Sequence, residues 1–255
     1  MTTVETATGT IWYADHRDPT IHRPPVLMIH GAGGQHLDWP AELRRLPGAN
    51  AIIPDLPGHG KSPGPGRNTI TAYAADMIAL LDALSIDQVI IAGHSMGGAI
   101  AQTMGLSYPD RVVGLILIGT GAKLTVNDTI LNGIRGATEV TAALITKWAW
   151  AKGANEQLKR LGTRRLLECD PDVTYGDYVA CNNFDLRDQV RRIKAPTLVI
   201  GGTADKMTPH QYSVYLQEHI ADAQLVTIEG GGHMMALEQP QVVADAVQRW
   251  LGESD

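Results

Sequence analysis

An α/β fold with a mostly parallel sheet follows from three features of this 255-residue chain. Short runs of branched apolar residues recur along it, and runs apolar on both faces belong to strands covered by helices on either side. Helical patterns separate several of these runs, and strand alternating with helix is the signature of a parallel sheet. One interval, 122–184, carries no strand pattern at all. A βα connection needs far fewer residues, so the interval predicts a helical insertion above the sheet. The expected organisation is a core of 1–121 and 185–255 with a helical lid of 122–184.

From the N-terminus, "GTIWYADHRD" (9–18) reads as part of a short antiparallel pair leading into the sheet. The buried strands are "VLMIH" (26–30), "AIIPD" (51–55), "VIIAG" (89–93), "LILIG" (115–119), "TLVIG" (197–201) and "LVTIE" (225–229). "GHGKSPGPGRN" (58–68) is a Gly/Pro-rich loop, too short for a linker. "TAYAADMIALLDALS" (71–85) sets Met77, Ile78, Leu81 and Leu84 along one helical stripe. "GAIAQTMGLSYPD" makes a helix that stops at Pro109, and "PQVVADAVQRWL" (240–251) opens on proline, which suits a first helical turn. Within the interval, "AALITKWAWAKG" and "NEQLKRLGTRRLLECD" read as amphipathic helices.

Composition narrows the function classes. A formal charge of -6 with no long run of like charge argues against a nucleic-acid partner. The densest basic stretch, "RDQVRRIK", is interrupted by Asp188. No basic segment followed by an apolar one opens the chain, and no apolar run is long enough to span a membrane. Cys169 and Cys181 make no disulfide framework and suit free thiols in a reducing cytosol, so a cytoplasmic protein is expected. CxxC and HExxH spacings are lacking, and no metal site is expected. Oligomeric state is left open by the sequence.

The chemistry concentrates at Gly93-His94-Ser95-Met96-Gly97, a match to G-x-S-x-G. Three fixed positions match by chance in roughly one chain in ten of this size, so context must decide. Here a strand precedes the motif and a helix follows it, as a nucleophile on a sharp strand-to-helix turn requires. Glycines two before and two after let strand and helix approach closely. The turn also sets the hydroxyl at a helix N-terminus, where unpaired N–H groups favour developing negative charge.

A serine hydroxyl needs a base, and the base needs an orienting acid. Of nine histidines, His233 in "IEGGGHMMALEQP" stands out, on a glycine-rich loop just past a strand. His30, His59 and His94 belong to tight turns near strand ends, whereas His16, His22, His36, His210 and His219 have no such setting. Asp205 in "LVIGGTADKMTP" follows a strand directly and is placed to hold the imidazole's second nitrogen. Asp55 also follows a strand, but "PDLPGHG" reads as a turn that Asp55 anchors. The Met96 N–H supplies one oxyanion donor and "HGAGG" (30–34) the second, from Ala32 with Gly33 as the runner-up. His30 is expected to shape that loop by hydrogen bonding.

With these residues in place the chain resembles the α/β-hydrolase fold superfamily. "HGAGG", "DLPGHGKS", "GHSMGG", "GTADKMTP" and "GGGHMMALEQP" stand in its expected succession, and the order Ser95, Asp205, His233 is the one that arrangement uses. The likeness covers both ends of the chain, and 122–184 falls where the family carries its variable lid. It implies an eight-stranded, mostly parallel sheet, a Ser–His–Asp triad and no cofactor. Members that dehalogenate or open epoxides have aspartate where Ser95 stands. The "HGGG" pattern of one lipase and esterase group is only partly met. "LIGTGAKL" lacks the acid that some lipase-like members carry after the sixth strand, which supports Asp205.

The expected activity is hydrolysis of small to medium carboxylic esters or lactones through an acyl-enzyme. Three rival reactions use the same triad, and a non-enzymatic class stands beside them. One is a cofactor-free haloperoxidase or perhydrolase. The other two are a carbon–carbon hydrolase and a lyase of the menaquinone-pathway type, and the lyase calls for arginines such as Arg164, Arg165, Arg187, Arg191 and Arg192 to aim at the pocket. The different class is a ligand sensor or inactive binding module on the same fold, separable by its slow, near-stoichiometric cleavage. Gly33, Trp148, Trp150, Phe184 and Met234 are the candidate substrate contacts, with Leu144 a further candidate on the lid.

Overall fold

The computed structural model describes residues 2–136 and 138–253. Its strands are β1 (Thr2–Thr6), β2 (Gly9–His16), β3 (Val26–Ile29), β4 (Ala51–Pro54), β5 (Val89–His94), β6 (Val112–Ile118), β7 (Thr197–Gly202) and β8 (Ala223–Ile228). They form one eight-stranded sheet in the order β1-β2-β4-β3-β5-β6-β7-β8. β2 runs antiparallel to both β1 and β4, and the remaining neighbours are parallel. The α/β fold with a mostly parallel sheet and an antiparallel opening pair is therefore present.

Side-chain alternation explains why the strands read as uniformly apolar. In β3, Leu27 and Ile29 point into one core while Val26 and Met28 point into the other. The first core is covered by α2 (Ile70–Ala83) and α3 (Met96–Ser107), which bring Tyr73, Met77, Ile100 and Met104 against the sheet. The second is covered by α1 (Ala41–Arg44) and, near the C-terminus, by the helix Pro240–Glu253, which brings Val243, Val247 and Trp250. β6 starts at Val112, earlier than expected, because the half-buried Val113 and the small Gly114 against Trp250 blur its apolar run.

Residues 122–184 fold as α4 (Asp128–Gly133), α5 (Thr138–Ala149), α6 (Glu156–Glu168) and α7 (Pro171–Asn182). Side chains of Asn127, Asn155 and Asp170 accept the first free N–H groups of α4, α6 and α7, a sequence signal for each start. The interval leaves and rejoins the sheet at one point, since Lys123 bridges Asp185 and the Leu186 N–H donates to the Ala122 carbonyl at 2.7 Å. Ile130, Ile134, Ile145 and Tyr178 form a small core within it. α7 escaped the sequence reading because it buries Thr174 and Asp177 beside Val173 and Tyr178, which leaves no apolar stripe. The last helices are α8 (His210–His219), α9 (Met235–Glu238) and α10 (Pro240–Glu253). Among the described residues no helix is long and apolar enough to cross a membrane.

The sheet order positions the site. From β3 the chain moves to β4 on one side, and from β5 to β6 on the other. Loops at the carboxyl ends of β3 and β5 thus diverge and leave a crevice between them, where ligands of open α/β sheets bind.

Candidate active site

Ser95 sits in that crevice, between β5 and α3. Its backbone is left-handed, with φ 53° and ψ -115°, a conformation that costs a non-glycine residue about 1–3 kcal/mol. The neighbourhood over-determines it. The Ser95 N–H donates to the Ile118 carbonyl at 3.0 Å, and the Ser95 carbonyl accepts from the Gly98 N–H at 2.9 Å and the Thr120 hydroxyl at 2.8 Å. A methyl on Gly93 would collide with the Gly97 carbonyl, and one on Gly97 with the Ile29 carbonyl. The Ser95 hydroxyl itself makes no hydrogen bond among the described residues.

The loop after β7 and the loop after β8 bring Asp205 and His233 together. His233 Nδ1–H donates to Asp205 Oδ2 at 2.9 Å, with both residues buried. The proton must lie on Nδ1, because the carboxylate only accepts. This leaves the lone pair on Nε2. Asp205 is fixed by its own loop, where the Met207 and Thr208 N–H groups donate to Oδ1 at 2.8 and 2.9 Å and the Thr208 hydroxyl to Oδ2 at 2.8 Å. Burial alone would raise the Asp205 pKa, but His233 and these donors hold it below the usual carboxylate range. The two loops are also tied directly, Ala204 N–H to the Gly231 carbonyl at 2.9 Å.

Ala32, His94, Ser95, His233 and Met234 line one cavity of about 100 Å³. His94 donates from Nε2 to the His233 carbonyl at 2.9 Å, which steadies the loop. Burial, then the neighbouring His233, keep the His94 pKa well below the ordinary value, so this ring stays neutral. Around the 30–34 turn the Gly34 N–H closes on the Gly31 carbonyl at 3.1 Å and the Gly33 N–H donates to Asp177 Oδ2 at 2.8 Å. The Ala32 N–H is left without a partner among the described residues, as is the Met96 N–H that heads α3. His30 works as a brace: its Nδ1–H donates to the Gly31 carbonyl at 2.8 Å and its Nε2 accepts from the Leu56 N–H at 3.0 Å. Asp55 anchors its turn through the His36 and Lys61 N–H groups.

The expected substrate contacts divide. Met234 lines the cavity. Gly33 does not, and its N–H is taken by Asp177, which removes it as runner-up oxyanion donor. Phe184 is part of the sheet's core. Trp150 is buried against Gly162 and the chain at Gly232 rather than facing Ser95. Trp148 lines a neighbouring cavity of about 290 Å³, which shares Thr125, Val126, Tyr178 and Met207 with the first. These four shared residues were missed. Met207 was within reach, two positions after Asp205 on the same loop, and Thr125 and Val126 follow the carboxyl end of β6. Of the arginines only Arg165 reaches the wall of the site, through Asp38, which lines the cavity. Arg165 pairs with Asp38 at 3.2 Å, Arg164 with Glu168 and Arg187 with Asp185, while Arg191 and Arg192 are exposed. Among the described residues no three His, Cys, Asp or Glu side chains gather as a metal site.

Residues 26–246 match the profile of the Alpha/beta hydrolase family. The chain is 30% identical over 243 residues to 3-oxoadipate enol-lactonase 2 of Acinetobacter baylyi, covering 89% of this chain and 88% of that one. It is 26% identical to 2-hydroxymuconate semialdehyde hydrolase of Pseudomonas putida, covering 91% and 88%. Among solved structures, a thermophilic esterase from Thermogutta terrifontis superposes with a TM-score of 0.88 at 25% identity, covering 99% of this chain and 98% of the other.

Proposed function

The chain belongs to the alpha/beta hydrolase family, and on that footing we propose that it is a serine hydrolase of small to medium carboxylic esters or lactones. The observation that carries the reading is the Asp205–His233 pair, buried at 2.9 Å, lining one cavity with a strained and otherwise unbonded Ser95. The Ser95 hydroxyl attacks the carbonyl carbon and its proton passes to His233 Nε2, while Asp205 holds Nδ1–H and stabilises the imidazolium. Negative charge on the carbonyl oxygen is met by the Ala32 N–H from the turn after β3 and the Met96 N–H at the head of α3. His233 then protonates the leaving alcohol, and an acyl-Ser95 ester remains. Water deprotonated by His233 attacks that ester and releases the acid.

Residues 122–184 are the lid in this reading. Thr125, Val126 and Tyr178 wall both compartments, whose about 100 and about 290 Å³ suit an acyl group and an alcohol of modest size. The names of the enol-lactonase and esterase relatives point the same way. The outward or paired arginines lend no support to an enol-carboxylate lyase.

A panel of p-nitrophenyl esters from acetate to decanoate, γ- and δ-lactones, a peroxide-dependent halogenation assay and a vinylogous diketone tests the proposal, each beside Ser95→Ala. Turnover should be highest on short esters or lactones and vanish in Ser95→Ala. Faster peroxide-dependent chemistry or carbon–carbon cleavage would overturn it, as would ester turnover that survives in Ser95→Ala.

A further inference from the structure

Asp177 lies on α7, outside the triad, yet its carboxylate is fully buried and joins three separate segments. Oδ2 accepts from the Gly33 N–H at 2.8 Å and from His59 Nε2 at 2.7 Å, and Oδ1 accepts from the Tyr73 hydroxyl at 2.5 Å. His59 Nδ1 lies 3.0 Å from the Pro57 carbonyl. Both ring nitrogens of His59 therefore face acceptors, so both carry protons and the ring is an imidazolium. A charge buried this deeply is destabilising unless paired and fully hydrogen-bonded, and here it is both.

What distinguishes this pair from a structural ion pair is the third donor. Gly33 has φ 62° and lies in the turn closed by the Gly34 N–H on the Gly31 carbonyl at 3.1 Å. The free Ala32 N–H belongs to the Gly31–Ala32 peptide, whose carbonyl accepts from the Gly34 N–H at 3.1 Å and from His30 Nδ1–H at 2.8 Å, and Asp177 fixes the peptide that follows, so Ala32 is held from both sides. The insertion packs on the same residue: a methyl on Gly33 would meet Leu166 of α6 at 2.5 Å and Thr174 of α7 at 3.4 Å. Arg165 of α6 holds the next stretch, donating to the Leu37 carbonyl at 3.0 Å.

We propose that Asp177 is a positioning residue of the oxyanion loop, which holds the peptide after Ala32 through the Gly33 N–H, keeps the turn that presents the Ala32 N–H in place, and so makes the site competent only when the insertion is docked. The inference rests on the serine-hydrolase reading of Ser95. It acts on transition-state charge, because the ground-state carbonyl gains little from a donor placed for the oxyanion.

Two measurements test it. In the first, Asp177→Asn and Asp177→Ala are compared with wild type and with Tyr73→Phe, which removes a donor to Asp177 but leaves Gly33 alone. On p-nitrophenyl acetate, kcat should fall about 10–100-fold in Asp177→Ala with KM within about threefold, less than the roughly 10²–10³ that complete loss of an oxyanion donor costs, and Asp177→Asn, whose oxygen can still accept from the Gly33 N–H, should recover most of that loss. Tyr73→Phe should lower the melting temperature and keep kcat within about twofold. A folded Asp177→Ala protein with wild-type kcat overturns the proposal, and so does a loss confined to KM or an equal loss in Asp177→Asn.

The second needs no variant. In 15N-labelled wild type, titration with a trifluoromethyl ketone that forms a hemiketal on serine should move the Ala32 and Met96 amide resonances downfield. The Gly33 amide, already downfield from its carboxylate partner, should stay in place. Movement of Gly33 with Ala32 unmoved overturns the assignment. Failure of Ser95→Ala to abolish turnover would instead strike the underlying reading.

Discussion

Replacing Asp205 by Asn changes one atom and reverses the proton on His233. The reason lies in the loop. Asp205 Oδ1 accepts two backbone N–H groups, from Met207 at 2.8 Å and Thr208 at 2.9 Å, and an amide nitrogen cannot take that place. Asn must keep its oxygen there, so its NH₂ falls where Oδ2 stood, 2.9 Å from His233 Nδ1. An NH₂ donates, so Nδ1 becomes the acceptor and the ring proton moves to Nε2, the nitrogen that must receive the Ser95 proton. The wrong tautomer in an otherwise intact triad costs about 10⁴ in kcat. At about 1.36 kcal/mol per tenfold, that is roughly 5 kcal/mol of barrier. The assay is initial-rate hydrolysis of p-nitrophenyl acetate by Asp205→Asn, with circular dichroism confirming a native fold. A folded variant within tenfold of wild type would refute the tautomer argument and send the search to another acid.

Other perturbations reach different parts of the structure. Gly97→Ala drives a methyl into the Ile29 carbonyl where α3 meets β3, and should lower the melting temperature by several degrees and kcat by more than tenfold; a neutral result would mean the turn is looser than drawn. His30 is buried neutral, with a pKa pushed down to about 4, first by burial and then by His59. The unfolded chain has the ordinary value near about 6.5 and binds more protons between these limits, so stability should drop by on the order of 3 kcal/mol as pH falls from about 6.5 to 4. Urea melts of wild type and His30→Asn at several pH values check this: the variant should be less stable at neutral pH and show a shallower acid decline, and parallel curves would count against it. His59 has the opposite sign. Burial lowers its pKa, but Asp177 raises it further, and the net shift is upward. Its contribution is complete below the unfolded value near about 6.5 and is lost as pH rises through the raised one, so His59→Gln should flatten the alkaline decline.

Much of this molecule was legible in one sequence because its constraints are local. A strand buried on both faces must be apolar throughout, so β3, β5 and β7 announced themselves. The turn at Ser95 needs small residues at Gly93 and Gly97 for steric reasons visible as a spacing. Asp205 and His233 each follow a strand directly. What was not legible depends on contacts far apart in the chain. Asp177 gives no sequence signal, since its partners Gly33, His59 and Tyr73 lie more than a hundred positions away. The same holds for the walls of the cavity. Size and place alone make Trp150 and Phe184 candidates for substrate contact, and long-range packing turns both inward. Arg165 gives no sign in the sequence of its partner, Asp38, which lines the cavity and lies more than a hundred positions away.

The proposal that Ser95 is the nucleophile is tested most directly by covalent labelling. The protein is treated with a fluorophosphonate, digested, and mapped by mass spectrometry, with Ser95→Ala in parallel. One phosphonyl group should appear on the peptide that contains Gly93-His94-Ser95-Met96-Gly97, in proportion to the activity lost, and Ser95→Ala should take up none. A stoichiometric label on another residue, or full inactivation with Ser95 unmodified, would contradict it.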